Sequence, residues 1–508
     1  MIIVNIIDSF LNSITMYRLI LYYLVGLLAV AVALCLFHIL PYNPLSLIIS
    51  TLFLLIICAV SNFIFSRVFD APTNLESVYI SALILALIIS PIASYQDIML
   101  FIWAGLLTVA SKYILAIKMK HVFNPVAIAV VLTSIGFNGS ASWWVGTATL
   151  TPFVLIGGLL IVRKIKKEDL VLNFLVTSLA ISLLFTFFSG GSLIKAAYGV
   201  VFNSSLMFLA FAMLTEPLTT PPSNRMQIGY GVLVGFLSVP QIHFMGMYLT
   251  PELALCIGNI FTYLVSPKYK LILSLKDKKQ YGTDTFDFHF SLLQKIAFSP
   301  GQYMEWTLPN TRADSRGNRR YLTIASSPTE DDLHLGVKFY PKGSSFKQEL
   351  SSLETNGIIV GGQLAGDFTL PTNHEEKCVF ISGGIGITPF RSMIKYLIDT
   401  KDKRSIVLFY ANRVASEITY SEIFEQARNE LGIKTVYTLT DQSSVPSGWP
   451  GKIGRIDAQM IEQEVPDYRE RKYYISGPHT MVTGYQKTLK DMGIADRQIK
   501  VDFFPGFA

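Results

Sequence analysis

Charge is spread unevenly along this chain. Of its 78 Asp, Glu, Lys and Arg residues, 18 lie in positions 1–250 and 60 in the last 258. So few charges cannot cover a 250-residue globule, because a water-soluble domain carries about a quarter charged residues. Apolar runs replace them. Roughly twenty apolar residues cross a bilayer as a helix. Ten runs are candidates: 17–39, 45–66, 76–94, 97–117, 123–137, 146–162, 170–189, 196–215, 226–240 and 250–267. Lipid offers backbone polar groups no partner, so these runs are predicted to be helices. The expected fold class is a multi-span α-helical membrane domain over 1–270, followed by a charged soluble half.

The loops orient the spans. Alternating them from a cytoplasmic N-terminus puts Arg67, Lys118, Lys120, Arg163, Lys164, Lys166, Lys167, Arg225, Lys268 and Lys270 inside, and only Lys195 outside. That is the bias of cytoplasmic loops. An integral protein of a bacterial-type cytoplasmic membrane is expected, with the N-terminus and the C-terminal half both cytoplasmic. The net charge of +6 is then largely a matter of topology and does not point to nucleic acid.

Several prosthetic groups are disfavoured. Cys35, Cys58, Cys256 and Cys378 are scattered, with no ligand spacing for an iron–sulfur cluster. His38, His121 and His243 lie near span ends, unlike paired haem ligands on facing spans. Neither haem, nor an iron–sulfur cluster, nor another metal site is expected.

Polar residues interrupt the apolar runs at particular places. Asn124-Pro125 opens one span and Glu216-Pro217 closes another. Pro251-Glu252 opens the last, which carries Asn259 inside it. Each has a plain reading as helix punctuation. Short, broken segments in both halves of a membrane domain also point to inverted repeats around a central site. Three stretches carry a family resemblance: SKYILAIKMKHVFNPVAIA (111–129), FAMLTEPLTTPPSNR (211–225) and PELALCIGNIFTYLVSPK (251–268). They resemble the flavin-carrying integral-membrane subunits of the Rnf electron-transport complex and of the sodium-translocating NADH:quinone reductase. The resemblance runs over nearly all of 70–268. It implies ten spans, flavin held within the membrane, and onward electron transfer. Asn124, Thr149, Glu216, Thr219 and Glu252 are the implied membrane-site residues. Those relatives attach FMN to the Thr of a Ser-Gly-Ala-Thr motif, whereas this chain reads Val145-Gly146-Thr147-Ala148-Thr149. The departure argues for non-covalent FMN or riboflavin; Thr149 is the best-placed acceptor for a covalent link.

From about 275 the pattern changes to alternating strands. RGNRRYLTIASSPTE (316–330), GSSF (343–346), CVFISGGIGITPFRSMIKYL (378–397), YYISGPHTMV (473–482) and VDFFPGF (501–507) follow in order. Together they resemble the ferredoxin-NADP reductase-like flavoproteins. The resemblance implies an antiparallel β-barrel FAD domain at 275–372 and an α/β parallel-sheet NAD(P) domain at 375–508. Arg320 fits the arginine on the FAD phosphate, a role suited to a forked, permanent cation. Thr323 fits the hydroxyl near flavin N5. Leu322 stands where an aromatic usually stacks on the isoalloxazine, and Tyr321 could replace it only if the strand bulges. Gly343, Ser344 and Ser345 fit the second phosphate loop. Gly383, Gly384 and Gly386 let the backbone approach a pyrophosphate at a helix N-terminus, with Thr388 and Pro389 opening that helix. Ser476, in place of the usual Cys, fits with Gly477 and Pro478 the segment beside the nicotinamide. Asp502 and a C-terminal aromatic fit the closing segment by the flavin. Asn412-Arg413 suits a 2′-phosphate or plain solvation, leaving NADH and NADPH both open.

These readings predict a membrane-bound FAD-dependent oxidoreductase. Electrons would pass from NAD(P)H through FAD to a membrane flavin or quinone site, or to an onward redox protein. The alternative is a membrane-anchored FAD reductase serving a separate protein partner, with the spans as a docking platform.

Overall fold

A computed structural model describes residues 7, 10–11, 14–69, 75–117, 120–137, 139–244, 247–266, 270–292, 295–308, 314, 317–341 and 343–502. Lys118, Lys268 and the aromatics Phe503, Phe504 and Phe507 lie outside the described residues. The chain divides into two compact units, Met1–Lys270 and Leu271–Ala508.

The first unit is helical. Among the described residues, four helices are long and apolar enough to cross a membrane: Met16–Leu36, Pro44–Val68, Tyr95–Ile114 and Glu168–Phe188. Leu193–Phe202 and Leu206–Met213 meet the same criterion as a pair bent by 48°, which makes a fifth. Leu75–Ile88, Pro125–Phe137 and Pro251–Val265 are shorter apolar helices. Thr151–Ile165 and Asn224–Leu237 complete the set of longer elements. Two hairpins, β1 (Ala116–Ile117) with β2 (Lys120–His121) and β3 (His243–Phe244) with β4 (Met247–Tyr248), join helices.

The interrupting prolines sit at helix starts, where the missing N–H is harmless. Asn43 Oδ1 caps the Pro44 helix by accepting from Leu45 N (2.8 Å). Thr250 Oγ1 caps the Pro251 helix by accepting from Leu253 N (3.3 Å). Two predicted spans are shorter than expected, for one shared reason. The helix Leu75–Ile88 stops three residues before Pro91, and residues 142–146 turn back to finish it. Ser142 N and Trp143 N both donate to Ile88 O at 2.8 Å, and Trp144 Nε1 donates to Ala86 O and Ile89 O at 3.0 Å. Those contacts satisfy carbonyls that a helix end leaves open. They also delay the next helix to Thr151, past the expected 146.

The bent pair breaks at Asn203–Ser205 and continues as a π-helix over Leu209–Met213. π turns inside helices mark functional sites more often than chance. A Cβ on Gly146 would lie 2.4 Å from Ser204 O, so only glycine lets the 145–149 loop touch this break. Ala148 N donates to Asn203 Oδ1 at 3.0 Å, fastening the same contact.

The second unit holds two sheets. The first is six-stranded and antiparallel. In chain order its strands are β5 (Leu271–Tyr281), β6 (Thr285–Ser291), β7 (Tyr303–Thr307), β8 (Arg319–Thr323), β9 (Asp332–Lys338) and β10 (Ile358–Ala365). Their spatial order is β8-β7-β10-β5-β6-β9, around a core with Phe288, Phe290, Met304, Trp306 and Phe346. The second sheet is six-stranded and parallel: β11 (Cys378–Gly383), β12 (Ile406–Asn412), β13 (Lys434–Leu439), β14 (Lys452–Ile453), β15 (Lys472–Ser476) and β16 (Ile499–Asp502), ordered β14-β13-β12-β11-β15-β16. Its central strands are buried throughout, as both-face coverage by helices requires.

Candidate functional sites

In the membrane unit, the three interrupted segments converge on one carboxylate. Glu216 lies three residues past the π-helical segment, directly before Pro217, and is 23% exposed at its side chain. Its Oε2 accepts from Asn124 Nδ2 (2.9 Å) and from Thr219 Oγ1 (3.0 Å), and its Oε1 faces His121 Nε2 (3.2 Å). Asn124 therefore does more than precede a proline. Its own N–H donates to Asn259 Oδ1 at 2.7 Å. Asn259 is fully buried and donates to Tyr230 OH (3.0 Å) and Thr219 O (3.4 Å). Residues 92 and 135 positions apart thus meet through side-chain amides.

Two lysines flank this node. Lys167 Nζ donates to Thr215 O (3.3 Å) and to Thr220 Oγ1, and Thr220 Oγ1 donates to Glu216 O (3.1 Å). Lys112 Nζ sits inside a helix of the unit and donates to Ser81 Oγ (2.9 Å), Ser77 O (3.0 Å) and Ser77 Oγ (3.1 Å). In the sequence, Lys167 stands out only as a topology marker and Lys112 carries no motif. A lysine in the midst of an apolar run is the available signal.

The structure separates the remaining membrane candidates from this node. Glu252 stands two helical turns before Asn259, is buried, and accepts from Trp143 Nε1 at 2.6 Å. Thr149 lies in the turn that precedes Thr151–Ile165, on the loop that meets the Asn203–Ser205 break. Beside it, Thr147 Oγ1 is buried with no hydrogen-bond partner.

In the second unit, Arg320 and the 343–346 loop come together. The Arg320 guanidinium lies 5.2 Å from the Phe346 ring and donates from Nη1 to Gly317 O (3.1 Å) and Arg319 O (2.6 Å). Ser344 caps the helix Ser345–Ser352. Ser345 N points out of that helix start, where it donates to Asp314 Oδ2 at 2.9 Å. An N–H at a helix start that already takes a carboxylate fits a phosphate oxygen equally well.

Strand pairing sorts the FAD signature. Leu322 is opposite Met304 and Arg320 is opposite Trp306, with no bulge, so both lie on the face of those core residues. Tyr321 and Thr323 are opposite Glu305 and Tyr303 on the other face. The ring that shares the face of Thr323 is therefore Tyr321, held by Tyr321 OH donating to Gln363 Oε1 at 2.6 Å. Burial, and then the carboxylates of Asp502 and Asp367, push the Tyr303 hydroxyl up to about 12.

The nucleotide residues also meet. Ser476 is opposite Ser382 on one side and Asp502 on the other. A Cβ on Gly386 would lie 2.6 Å from both Ser476 O and Gly477 Cα, so the glycine turn and the Ser476-Gly477-Pro478 turn pack backbone to backbone. Gly384 has φ +52° with open space around its missing Cβ. Thr388 and Pro389 begin the helix Thr388–Thr400 behind the turn. Ser382 Oγ, just ahead of Gly383, is buried without a partner. A close backbone approach, a helix start and an unsatisfied hydroxyl fit a dinucleotide phosphate.

One constellation is not visible in the sequence. Arg391 Nη2 donates to Glu330 Oε1 at 2.8 Å, and its Nη1 bonds Glu330 Oε2 and Ala325 O (3.1 Å). Beside it, His289 and His334 stack with centroids 3.9 Å apart, and both place a nitrogen 3.1 Å from Asp287 Oδ2. His289 and His334 are cross-strand partners. Only the register of β6 on β9 reveals the pair.

The second unit therefore pairs an antiparallel sheet with a parallel one, and follows the apolar helices in the chain. Comparisons with known proteins agree for both units. Residues 145–269 match the NQR2, RnfD, RnfE family, and residues 380–487 match the oxidoreductase NAD-binding domain. A flavohemoprotein of Oceanobacillus iheyensis is 23% identical over 241 residues, 46% of this chain and 58% of that protein. The reductase component of propane 2-monooxygenase from Rhodococcus jostii is 27% identical over 216 residues, 41% of this chain and 55% of that protein. The chain thus spans little more than half the length of these curated relatives. Among solved structures, the cytochrome b5 reductase domain of Ulva prolifera nitrate reductase is 24% identical, with a TM-score of 0.41, and is covered over 98% of its length and 47% of this chain. The chain thus joins a segment matching the NQR2, RnfD, RnfE family to a segment matching the oxidoreductase NAD-binding domain.

Proposed function

We propose that this protein passes electrons from NAD(P)H, through FAD in its second unit, to a flavin or quinone held in its membrane unit. The observation that carries the proposal is the convergence of His121, Asn124 and Thr219 on the partly accessible Glu216 carboxylate, with Asn259 from a third segment holding Asn124 and Thr219. Helix punctuation alone gives no reason for such a meeting. Intramembrane carboxylates in hydrogen-bonded clusters are functional by default.

In this reading the ten apolar segments are ten spans, the antiparallel sheet closes as a barrel, and the N-terminus and the reductase are cytoplasmic. Positive charge at Arg163, Lys164, Lys166 and Lys167 supports that orientation. Arg320, Gly343, Ser344 and Ser345 hold the FAD phosphates. Thr323 and Tyr321 face the ring system, with Asp502 nearby. Gly383, Gly384, Gly386, Ser382 and Ser476 seat the nicotinamide nucleotide. FAD supplies the exchange between a two-electron hydride donor and one-electron acceptors. His121 Nε2 and Glu216 Oε1, 3.2 Å apart, hold a proton where a reduced acceptor in the membrane needs one. The Thr147 hydroxyl, buried and unpaired, supports a polar ligand against the 145–149 loop.

The printed names of relatives such as the propane monooxygenase reductase component support the second reading, in which the FAD unit serves a separate redox protein. The purified full-length protein separates the two. The relay expects NAD(P)H-driven reduction of a lipophilic quinone to fall at least about tenfold in Glu216→Gln, with ferricyanide reduction retained. Equal quinone rates in both proteins would favour the anchor reading.

A further inference from the structure

Arg391 is a buried cation on the nucleotide side of the reductase whose hydrogen-bond partners lie on the flavin side, while the Tyr420 ring lies 5.6 Å from it on its own side. Its side chain is 5% exposed. It sits one turn into Thr388–Thr400, directly behind the Gly383–Gly386 turn. Both guanidinium ends meet the Glu330 carboxylate, and Nη1 also meets Ala325 O. Glu330 is itself fixed, since its Oε2 accepts from Ser327 N at 2.6 Å. The next helix residue repeats the tie: Ser392 Oγ donates to Ser326 O at 2.6 Å. Thr329 Oγ1 closes the segment by donating to Asp399 Oδ2 at 2.6 Å. Residues 325–330, which leave β8 two positions after Thr323, are therefore bonded at three points to the helix that carries the nucleotide turn.

A separate observation sets the spacing of the same interface. Gly336 on β9 faces that turn. A Cβ there would lie 2.7 Å from Thr388 Cγ2 and Tyr420 OH, and 3.2 Å from Ile385 Cδ1. The two domains are drawn together by Arg391 and packed as closely as a bare backbone allows. Two carboxylates flank the guanidinium: Glu330 on one side, and on the other Asp287 with His289 and His334, whose Nδ1 is 3.4 Å from Arg391 Nη2.

We propose that Arg391 is a positioning residue for hydride transfer, fixing the Thr323 strand end against the nicotinamide's glycine turn through Glu330, with Gly336 as the spacer. This rests on the reading of the second unit as an NAD(P)H-to-FAD reductase. A bidentate fork holds an angle as well as a distance, which an ammonium cannot do. Misplacement of reacting groups by about 1 Å costs on the order of 10²-fold in rate.

The test uses full-length protein carrying FAD, mixed anaerobically with NADH and with NADPH. In Arg391→Gln and in Gly336→Ala, FAD content stays near one per chain and nucleotide affinity within about threefold. The rate of flavin bleaching falls roughly 10- to 100-fold, and Arg391→Lys recovers part of it. In flavin-stripped protein, hydrogen exchange over 325–330 rises in Arg391→Gln. If Arg391→Gln fails to fold, Gly336→Ala carries the same expectation without touching the ion pair. Unchanged bleaching in variants that hold FAD, or a rate loss that only tracks lost FAD or nucleotide affinity, overturns the proposal. A wild-type protein whose bound FAD is not bleached by either nucleotide overturns the reductase reading itself, a distinguishable failure.

Discussion

Replacing Asn259 with alanine removes the group that ties three membrane segments together. The side chain bonds Asn124 N at 2.7 Å, Tyr230 OH at 3.0 Å and Thr219 O at 3.4 Å. Asn124, Tyr230 and Thr219 are all buried, so water does not replace the lost partner. An orphaned buried donor or acceptor costs about 1–3 kcal/mol. Interhelical hydrogen bonds measured within membranes average nearer 0.6 kcal/mol, because the unfolded reference also finds partners. The third contact is long and adds little. The two short ones then put the loss at about 1.5–3 kcal/mol, or roughly 3–10 °C in the melting temperature of a unit this size. Cys35, Cys58 and Cys256 are buried in the membrane unit, so a thiol-reactive dye reports its unfolding directly. Reaction of Cys378 reports the reductase unit instead, and its melting should not move. Quinone reduction should fall with the membrane unit's melting point, because Asn124 loses the bond that aims its amide at Glu216. A melting temperature within about 1 °C of wild type, with normal quinone reduction, would refute the hub.

Three further outcomes are expected. Arg320→Ala should lose most of its FAD on purification, read as flavin absorbance per chain; full occupancy would overturn the phosphate role of Arg320. Trp143→Phe removes the donor to the buried Glu252 side chain, and an orphaned buried acceptor costs about 1–3 kcal/mol, so the dye-detected melting of the membrane unit should fall by several degrees. The reductase unit should lose stability as pH rises. Burial lowers the His289 imidazole, but the bond to Asp287 and the carboxylates of Asp287 and Asp277 outweigh it, so its pKa lies above the ordinary value. A raised folded-state pKa contributes fully below about pH 6.5 and is lost as the pH passes the folded-state value. Asp287, pushed up by burial but pulled further down by bonds from His289 and His334, works the opposite way and weakens the fold only in acid. His289→Gln should flatten the neutral-to-alkaline decline; a wild-type melting profile already flat from about pH 6 to 8.5 would refute this.

Much of this can be read from the residues, because the relevant features are local. The glycine turn, the helix behind it and the Ser476 turn are each encoded in a few consecutive positions. Their mutual packing follows from parallel-strand order. The apolar runs likewise announce the helices, although the same apolar pattern runs 146–150 into a span. Only the folded chain shows that residues 142–146 finish the helix Leu75–Ile88. Asn124, Glu216, Thr219 and Asn259 are legible as interruptions of apolar runs, while their meeting is not, since hydrogen bonds across 135 positions leave no periodicity. The same limit hides Arg391 and the His289–His334 stack. Register and domain apposition create those contacts, and no single segment carries them. Leu322 shows a subtler case. Strand pairing puts it on the face of Arg320 and puts Tyr321 on the face of Thr323, a division that the motif alone does not show.

The central claim is that the membrane unit holds a redox group of its own. Acid extraction of the purified full-length protein, with chromatographic identification of every released flavin, tests it most directly. The account predicts FAD together with a second flavin, FMN or riboflavin, in about equal amounts. FAD alone at one per chain would contradict it.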